Sequence, residues 1–458
     1  MGFPLSNCVQ GLALTVQAYQ MEHKIFFFEI VEHEFSPAKI CKSVADEDII
    51  TNLPEALKDK IMCCLPIKEA VRTYLLSRNW RYTWASMTEL VFRRSDFASG
   101  NGNTKDDACR FLKFTDMFLS LHNGPILKFG LNTLGTEMLS TGGHIYRWML
   151  MLSRNGIKEI RLRTSKYNTY RIPSCFFSCD GLECVYLRAC TLTSSQLPPL
   201  SKGFKQLHIL HLEYISVQGN SLEDLVTSCP NLEKLHLLKL ISMNHINIHS
   251  TKLKILTIEG QFQHLNLHTP YLISATIKLI LQPDLNDAST ARCNFNLSQF
   301  IGSLSDAENI TLHGRILECV DHEFLILKTT GLFNRLTYIS LEINLGNLKE
   351  ANLALCLFQH APNLRCIDLM LIPRNLMVPP VRFWESIDRH VCLFQNVHTV
   401  GMTNFTGSFA ELGFLKLLLE DAPVLRKVII SDKGLDRGVF QNLLKMRRTS
   451  KEAEIVIL

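Results

Sequence analysis

A repeating α/β solenoid preceded by a small all-α module is the architecture this 458-residue sequence predicts, on three features. The pattern apolar-x-x-apolar-x-apolar recurs from Ile126 to Ile430, and the copies opening at Ile157, Leu182, Leu207 and Leu232 follow one another at equal intervals of 25 residues. Several intervening segments carry helical stripes that stop at a proline, with the leucine of the next copy two residues later. Upstream, residues 53–84 read LPEALKDKIMCCLPIKEAVRTYLLSRNWRYTW, three short helical patterns punctuated by two Leu-Pro pairs and two late tryptophans.

Along the chain, residues 1–45 come first, with no periodicity beyond the β-prone run Ile25 to Val31, and are expected to form a poorly ordered extension. The all-α module follows over 46–90. Asn52 is placed to cap a first helix, with Pro54 in its first turn and Glu55 three residues on. Leu57, Ile61, Cys64 and Leu65 then fall on one helical face before Pro66 ends it. Ile67 to Ser77 gives a second stripe through Ala70, Val71, Tyr74 and Leu75, and Asn79 to Ser86 a short third helix carrying Trp80 and Trp84. Three helices of this size cannot hide so many large apolar groups internally, so part of that surface is expected to face a partner.

These residues resemble the F-box of plant F-box proteins, whose pattern runs D-I-I-S-x-L-P-x-x-L, then I-L-x-x-L-P-T-K-E-A-V-R-T-S-x-L-S-x-R-W, and ends in L-W. Here it reads Asp48, Ile49, Ile50, Leu53, Pro54, Leu57, Ile61, Leu65, Pro66, Lys68, Glu69, Ala70, Val71, Arg72, Thr73, Leu76, Ser77, Trp80 and Trp84. Thr51, Ile67, Tyr74 and Asn79 depart from it. The resemblance implies docking onto a Skp-family adaptor, and through it a cullin, by Leu53, Pro54, Ile61, Leu65, Pro66, Val71, Leu76 and Trp80.

Residues 91–125 are expected to hold a connecting loop and helix, with a mobile loop over Ala98 to Asp107 where Gly100, Asn101, Gly102 and Asn103 cluster. From 126 to 380 the 25-residue period and the motif together predict a leucine-rich-repeat horseshoe, with strands lining the inner face and helices outside. The helical stripes Leu222 to Cys229, Ala354 to Ala361 and Leu415 to Ala422 end at Pro230, Pro362 and Pro423, and Leu232, Leu364 and Leu425 then open strands. Over 381–458 further strand and helix units are expected. There Trp384-Glu385, Phe394-Gln395-Asn396-Val397 and the run Glu411 to Leu425 resemble the FBD region behind plant F-box repeats, with its W-E and E-x-x-x-x-K-x-L-L-E-N-A-P-V-L patterns. A capping role at the solenoid's end is the simplest assignment.

Composition narrows the function. With 47% hydrophobic and 20% charged residues the chain is ordinary for a globular protein, and a net charge of +5 falls short of the clustered basicity a nucleic-acid binder needs. No apolar run spans a membrane and Met1 to Gln20 lacks a basic leader, so cytoplasm or nucleus is expected. The 15 cysteines read as thiols of a reducing compartment. No nucleotide-binding glycine motif, nucleophile elbow or His-Glu-x-x-His helix occurs. Cys175, Cys179, Cys184 and Cys190 lack paired C-x-x-C spacing and read as repeat cysteines rather than a zinc site. No cofactor and no metal site is expected.

If the leucines point inward, the residue between the last two apolar positions points out from the sheet, giving the column Arg161, Tyr186, His211, His236 and Thr257. Just past the strands come Arg163 and Arg188. This arginine and tyrosine patch suits a peptide bearing carboxylate or phosphate. The whole predicts a non-catalytic substrate-recognition adaptor of a Skp-cullin-F-box ubiquitin ligase that binds a target through its repeats. Two alternatives are an F-box receptor with a ligand pocket in the repeat face and a repeat scaffold without a ligase role.

Overall fold

The computed structural model describes residues 52–97, 104–133, 142–167, 169–193, 204–217, 219–240, 243, 245–280, 304–314, 316–318, 333–372, 383–384, 387, 393–432 and 437–458. The expected N-terminal extension lies outside them. The chain forms two compact units, one within residues 1–207 and the other within 208–458.

The first unit opens with helix α1 (Glu55–Cys64) and helix α2 (Ile67–Arg72), each started by a proline, Pro54 and Pro66. No side chain caps α1, so Asn52 does not play the role its spacing suggested. The expected third helix is a single 3-10 turn, Thr83–Ser86. Strand β1 (Glu89–Arg93) follows at once, then helix α3 (Thr104–Leu121), strand β2 (Lys128–Asn132), helix α4 (Gly142–Leu152), and strands β3 (Glu159–Arg163), β4 (Tyr170–Arg171), β5 (Cys184–Arg188) and β6 (Cys190–Leu192). The mobile loop expected over Ala98 to Asp107 is corrected at its end. Thr104 to Asp107 form the first turn of α3, where Asp106 and Asp107 complement the helix dipole. Residues 98–103 lie outside the described residues.

β1, β2, β3 and β5 pair in parallel, which aligns Leu90, Phe129, Ile160 and Val185 in one row and Phe92, Leu131, Leu162 and Leu187 in another. All eight are buried, each contributing on the order of 2 kcal/mol. Trp84 lies 5.0 Å from Phe118, which lies 5.4 Å from Phe92, itself 5.9 Å from Phe129. The tryptophan-bearing turn, helix α3 and the first two strands thus share one core. Thr88 donates from its backbone and its hydroxyl to the Asp59 carboxylate (3.4 and 3.1 Å), tying α1 to the start of β1.

The second unit runs through β7 (Ile209–Glu213), β8 (Ser216–Val217), helix α5 (Ser221–Thr227), β9 (Lys234–Leu240), β10 (His245–His249), β11 (Ile255–Gly260), β12 (His264–His268), β13 (Ser274–Leu279) and β14 (Asn309–Gly314). It continues with β15 (Tyr338–Ile343), helix α6 (Leu348–Gln359), β16 (Cys366–Leu371), β17 (Thr399–Phe405), helix α7 (Phe409–Asp421), β18 (Lys427–Asp432), helix α8 (Arg437–Lys445) and β19 (Glu454–Ile457). From β7 to β19 the motif strands pair in parallel, each apolar position opposite its equivalent: Leu210 with Leu235, Leu256, Ala275 and Ile310, and Leu212 with Leu237, Ile258, Ile277 and Leu312. Behind them the helical stripes form α5, α6 and α7. The helix-outside expectation fails at β10 and β12, where HINIH and HLNLH alternate apolar and polar residues with period two, the period of a strand. The equal 25-residue intervals have a backbone counterpart: Ala189, Tyr214 and Lys239, each two residues past its motif's final leucine, take left-handed φ values of 59°, 52° and 55°.

Candidate functional site

Two surfaces of the first unit carry the residues that the sequence singled out. On α1, Lys58 and Met62 turn inward, whereas Leu57 is 46% and Ile61 41% exposed, with Cys64 also exposed. The apolar stripe of this helix therefore faces solvent, the reverse of an ordinary amphipathic helix. Past α2, Leu75 and Leu76 are 49% and 60% exposed, Pro54, Pro66 and Tyr82 are exposed, and Leu53 and Leu65 are half-buried. Val71 and Trp80 are different, at 0% and 1% exposure. Their side chains are core: α2, which carries Val71, packs against β1, a strand that a three-helix module does not include. They offer no surface in this structure, a correction to their expected place on a docking face. Leu57, Leu75 and Tyr82 are the exposed groups that sequence reasoning left out of that face, although the i, i+4 spacing of Leu57 and Ile61 signalled the first of them.

The second surface is the outward side of β1, β2, β3 and β5. Strand register places Arg93, Asn132, Arg163 and Arg188 in one row and Val91, Gly130, Arg161 and Tyr186 in the next, with neighbours about 4.8 Å apart. The Arg161 guanidinium lies over the Tyr186 ring, 4.2 Å from its centroid, and its Nε pairs with Glu159. Arg161 is therefore held by its own strand and neighbour. Burial pushes the Tyr186 phenol above its ordinary value, so it stays a neutral hydroxyl. Arg188 donates from Nη1 to the Thr164 carbonyl (3.0 Å), which orients its side chain, while Arg163 and Arg93 are exposed. Lys128 reaches Glu89 (3.1 Å) and Glu159 (4.0 Å), so charge is balanced at one end of the strands and positive at the other. Arg93 escaped sequence reasoning because β1 straddles the boundary between the expected all-α module (46–90) and the expected connecting loop and helix (91–125).

His211 and His236 lie in the second unit as register partners on β7 and β9, ring centroids 5.6 Å apart. His236 Nδ1 sits 3.1 Å from the Thr257 hydroxyl, and burial holds this imidazole below its ordinary value. Cys179 and Cys190 are buried thiols pushed up to about 12, protonated and inert. Among the described residues no three His, Cys, Asp or Glu side chains converge to hold a metal ion, and no helix is long and apolar enough to cross a membrane.

Comparison with known proteins then fixes the family. The F-box domain matches residues 50–91, and the leucine-rich repeats of the FBD-associated F-box protein At5g56370 match residues 145–369. The F-box/FBD/LRR-repeat protein At1g13570 of Arabidopsis thaliana is 30% identical over 427 residues, covering 90% of this chain and 98% of its own length. The chain belongs to the plant F-box/FBD/LRR-repeat family. Two further Arabidopsis thaliana relatives are the FBD-associated F-box protein At1g66310 (24% identity, covering 90% and 96%) and the F-box/FBD/LRR-repeat protein At3g52680 (25%, covering 88% and 90%). In this F-box/FBD/LRR-repeat protein the FBD-like stretch continues the repeats. Ser408 caps α7 in a capping box with Glu411, whose buried carboxylate also accepts from the Thr406 and Gly407 amides (2.8 Å each).

Proposed function

We propose that this chain is the non-catalytic substrate-recognition subunit of a Skp-cullin-F-box ubiquitin ligase. Its F-box docks a Skp-family adaptor, and its repeats hold a target protein. The observation that carries this is the outward apolar stripe of α1 together with Leu75 and Leu76, large groups left uncovered in a module of F-box sequence. Catalysis belongs to the partners, and the contribution of this chain is effective concentration: a tethered target meets the charged conjugating enzyme in an intramolecular encounter. The row Arg93, Asn132, Arg163 and Arg188 supports an acidic or phosphorylated segment as what the strand face grips, because guanidinium groups bind carboxylate and phosphate through paired hydrogen bonds.

The test is capture of a purified Skp-family adaptor by the full chain and by the Leu53→Ala/Pro54→Ala double variant. Loss of about 2 kcal/mol, roughly thirtyfold in affinity, is expected. A soluble, folded double variant that captures adaptor as well as the parent chain would overturn the docking assignment.

A further inference from the structure

The second unit carries a surface motif that the adaptor role does not use. Strands β10 and β12 repeat one five-residue pattern, His-apolar-Asn-apolar-His, as HINIH and HLNLH. They pair in parallel and in register, His245 against His264, Asn247 against Asn266 and His249 against His268. Alternation sends Ile246, Ile248, Leu265 and Leu267 into the core and leaves all four imidazoles exposed. The rings of His245 and His264 stack with centroids 4.5 Å apart and 6° between planes, and those of His249 and His268 lie 4.6 Å apart at 32°. Between them, Asn247 donates from Nδ2 to the Glu223 carboxylate on α5 (3.2 Å). The surface therefore holds two histidine pairs, four residues apart along each strand, or about 13 Å.

Exposed imidazoles opposite one another contribute nothing to the core, and when protonated they repel across the strands. β-branched residues would fill such positions better if only the sheet mattered. Neutral imidazole is, however, a good nitrogen donor for late first-row divalent metals, and two in register face the same small volume. We propose that each pair, His245 with His264 and His249 with His268, binds one divalent transition-metal ion of the Cu²⁺, Ni²⁺ or Zn²⁺ type. Metal–nitrogen bonds of about 2.0 Å require the two ligating nitrogens to come within about 4 Å with both in-plane lone pairs aimed at the ion, so the stacked rings must splay apart about their side-chain torsions, a rotation that their exposure leaves open. Because no third protein ligand converges on either pair among the described residues, the remaining coordination positions are assigned to water or to a side chain of a docked protein. The Glu223 carboxylate adds negative charge beside the pairs and favours a cation there.

The experiment titrates metal-free full chain with Cu²⁺ by calorimetry and by electron paramagnetic resonance, then repeats the calorimetry with Ni²⁺ and Zn²⁺. The parent chain should take up two Cu²⁺ ions with signals of two-nitrogen ligation, and Cu²⁺ should bind more tightly than Ni²⁺ or Zn²⁺. His264→Thr should abolish one of these sites and His268→Thr the other, each loss costing at least the about tenfold that removal of an outer-shell partner costs. The fourfold variant with threonine at 245, 249, 264 and 268 should lose both while keeping the unfolding midpoint of the metal-free parent, since threonine suits a strand surface. Should that variant misfold, the two single variants decide the matter alone. Single variants with undiminished Cu²⁺ uptake, or a parent chain without two-nitrogen signals, would overturn the proposal.

Discussion

Trp384 lies directly against Gly413: a Cβ built on the glycine would come within 2.6 Å of the indole Cδ1. The same indole meets Phe414 edge-on at 5.6 Å. The tryptophan of the FBD-like W-E pair and the helix that follows it are thus joined through a hole in the helix surface that only glycine leaves open. Alanine would raise the intrinsic stability of α7 by roughly 1 kcal/mol in an exposed setting, yet overpacking here costs about 1 to 3 kcal/mol and should win. Gly413→Ala should therefore lower the denaturant midpoint. An increase would mean that the indole swings clear at no cost.

The F-box should separate two kinds of substitution. Leu57→Glu with Leu76→Glu changes exposed groups and should weaken adaptor capture about tenfold or more with stability nearly unchanged. Trp80→Ala removes a core side chain and should cost about 3 to 5 kcal/mol of stability. Paired unfolding and capture measurements check this, and equal destabilisation by both would place Leu57 and Leu76 in the core.

In the second unit, Leu210 and Leu235 are buried register partners, whereas His211 points out from the sheet. Leu210→Ala or Leu235→Ala should cost roughly 2 to 5 kcal/mol in urea unfolding, and His211→Ala less than about 0.5. Comparable losses at all three would put the strand phase one residue out.

Target capture should depend on the arginine row. Reversing Arg93, Arg163 and Arg188 to glutamate should abolish it and leave adaptor binding intact, and capture by the parent chain should weaken from low to physiological salt, where charges are screened over about 8 Å. A triple reversal that retains the same captured proteins would move the target site to the later repeats.

Acid should destabilise the fold before its carboxylates titrate. His122 donates from Nε2 to the Met87 carbonyl (2.9 Å), and burial holds its imidazole below the ordinary value despite that bond; burial does the same at His236 and His313. The unfolded chain takes up these protons near pH about 6.5 while the folded chain resists them. Their contribution is therefore complete above that pH and is lost as the pH falls through and below it. His122→Gln retains an N–H donor and should shrink the drop in unfolding midpoint between neutral and mildly acidic pH.

Legibility followed the side-chain period. The leucine motif lies on a strand at every noted copy, because two buried apolar positions per strand are a strong signal. At Ser274–Leu279 that signal is muted by Ala275 in a leucine slot, and at Glu89–Arg93 the strand hides within the F-box sequence. β10 and β12 went unseen because a five-residue alternation is a short signal and lies outside the repeated leucine motif. Exposure in the F-box was only half legible: Pro54, Leu57 and Ile61 face out, but Val71 and Trp80 are buried, which no spacing within the module reveals.

The aromatic chain from Trp84 through Phe118 and Phe92 to Phe129 leaves no joint between the docking helices and the first repeat strands. Under the proposed function, that makes this unit a ruler. A segment gripped on β1 to β5 would be presented at a set distance and angle from the adaptor. The lysines that receive ubiquitin would then be chosen by how far the target's own body carries them from that grip, and those outside the permitted arc would stay unmodified however tightly the target binds.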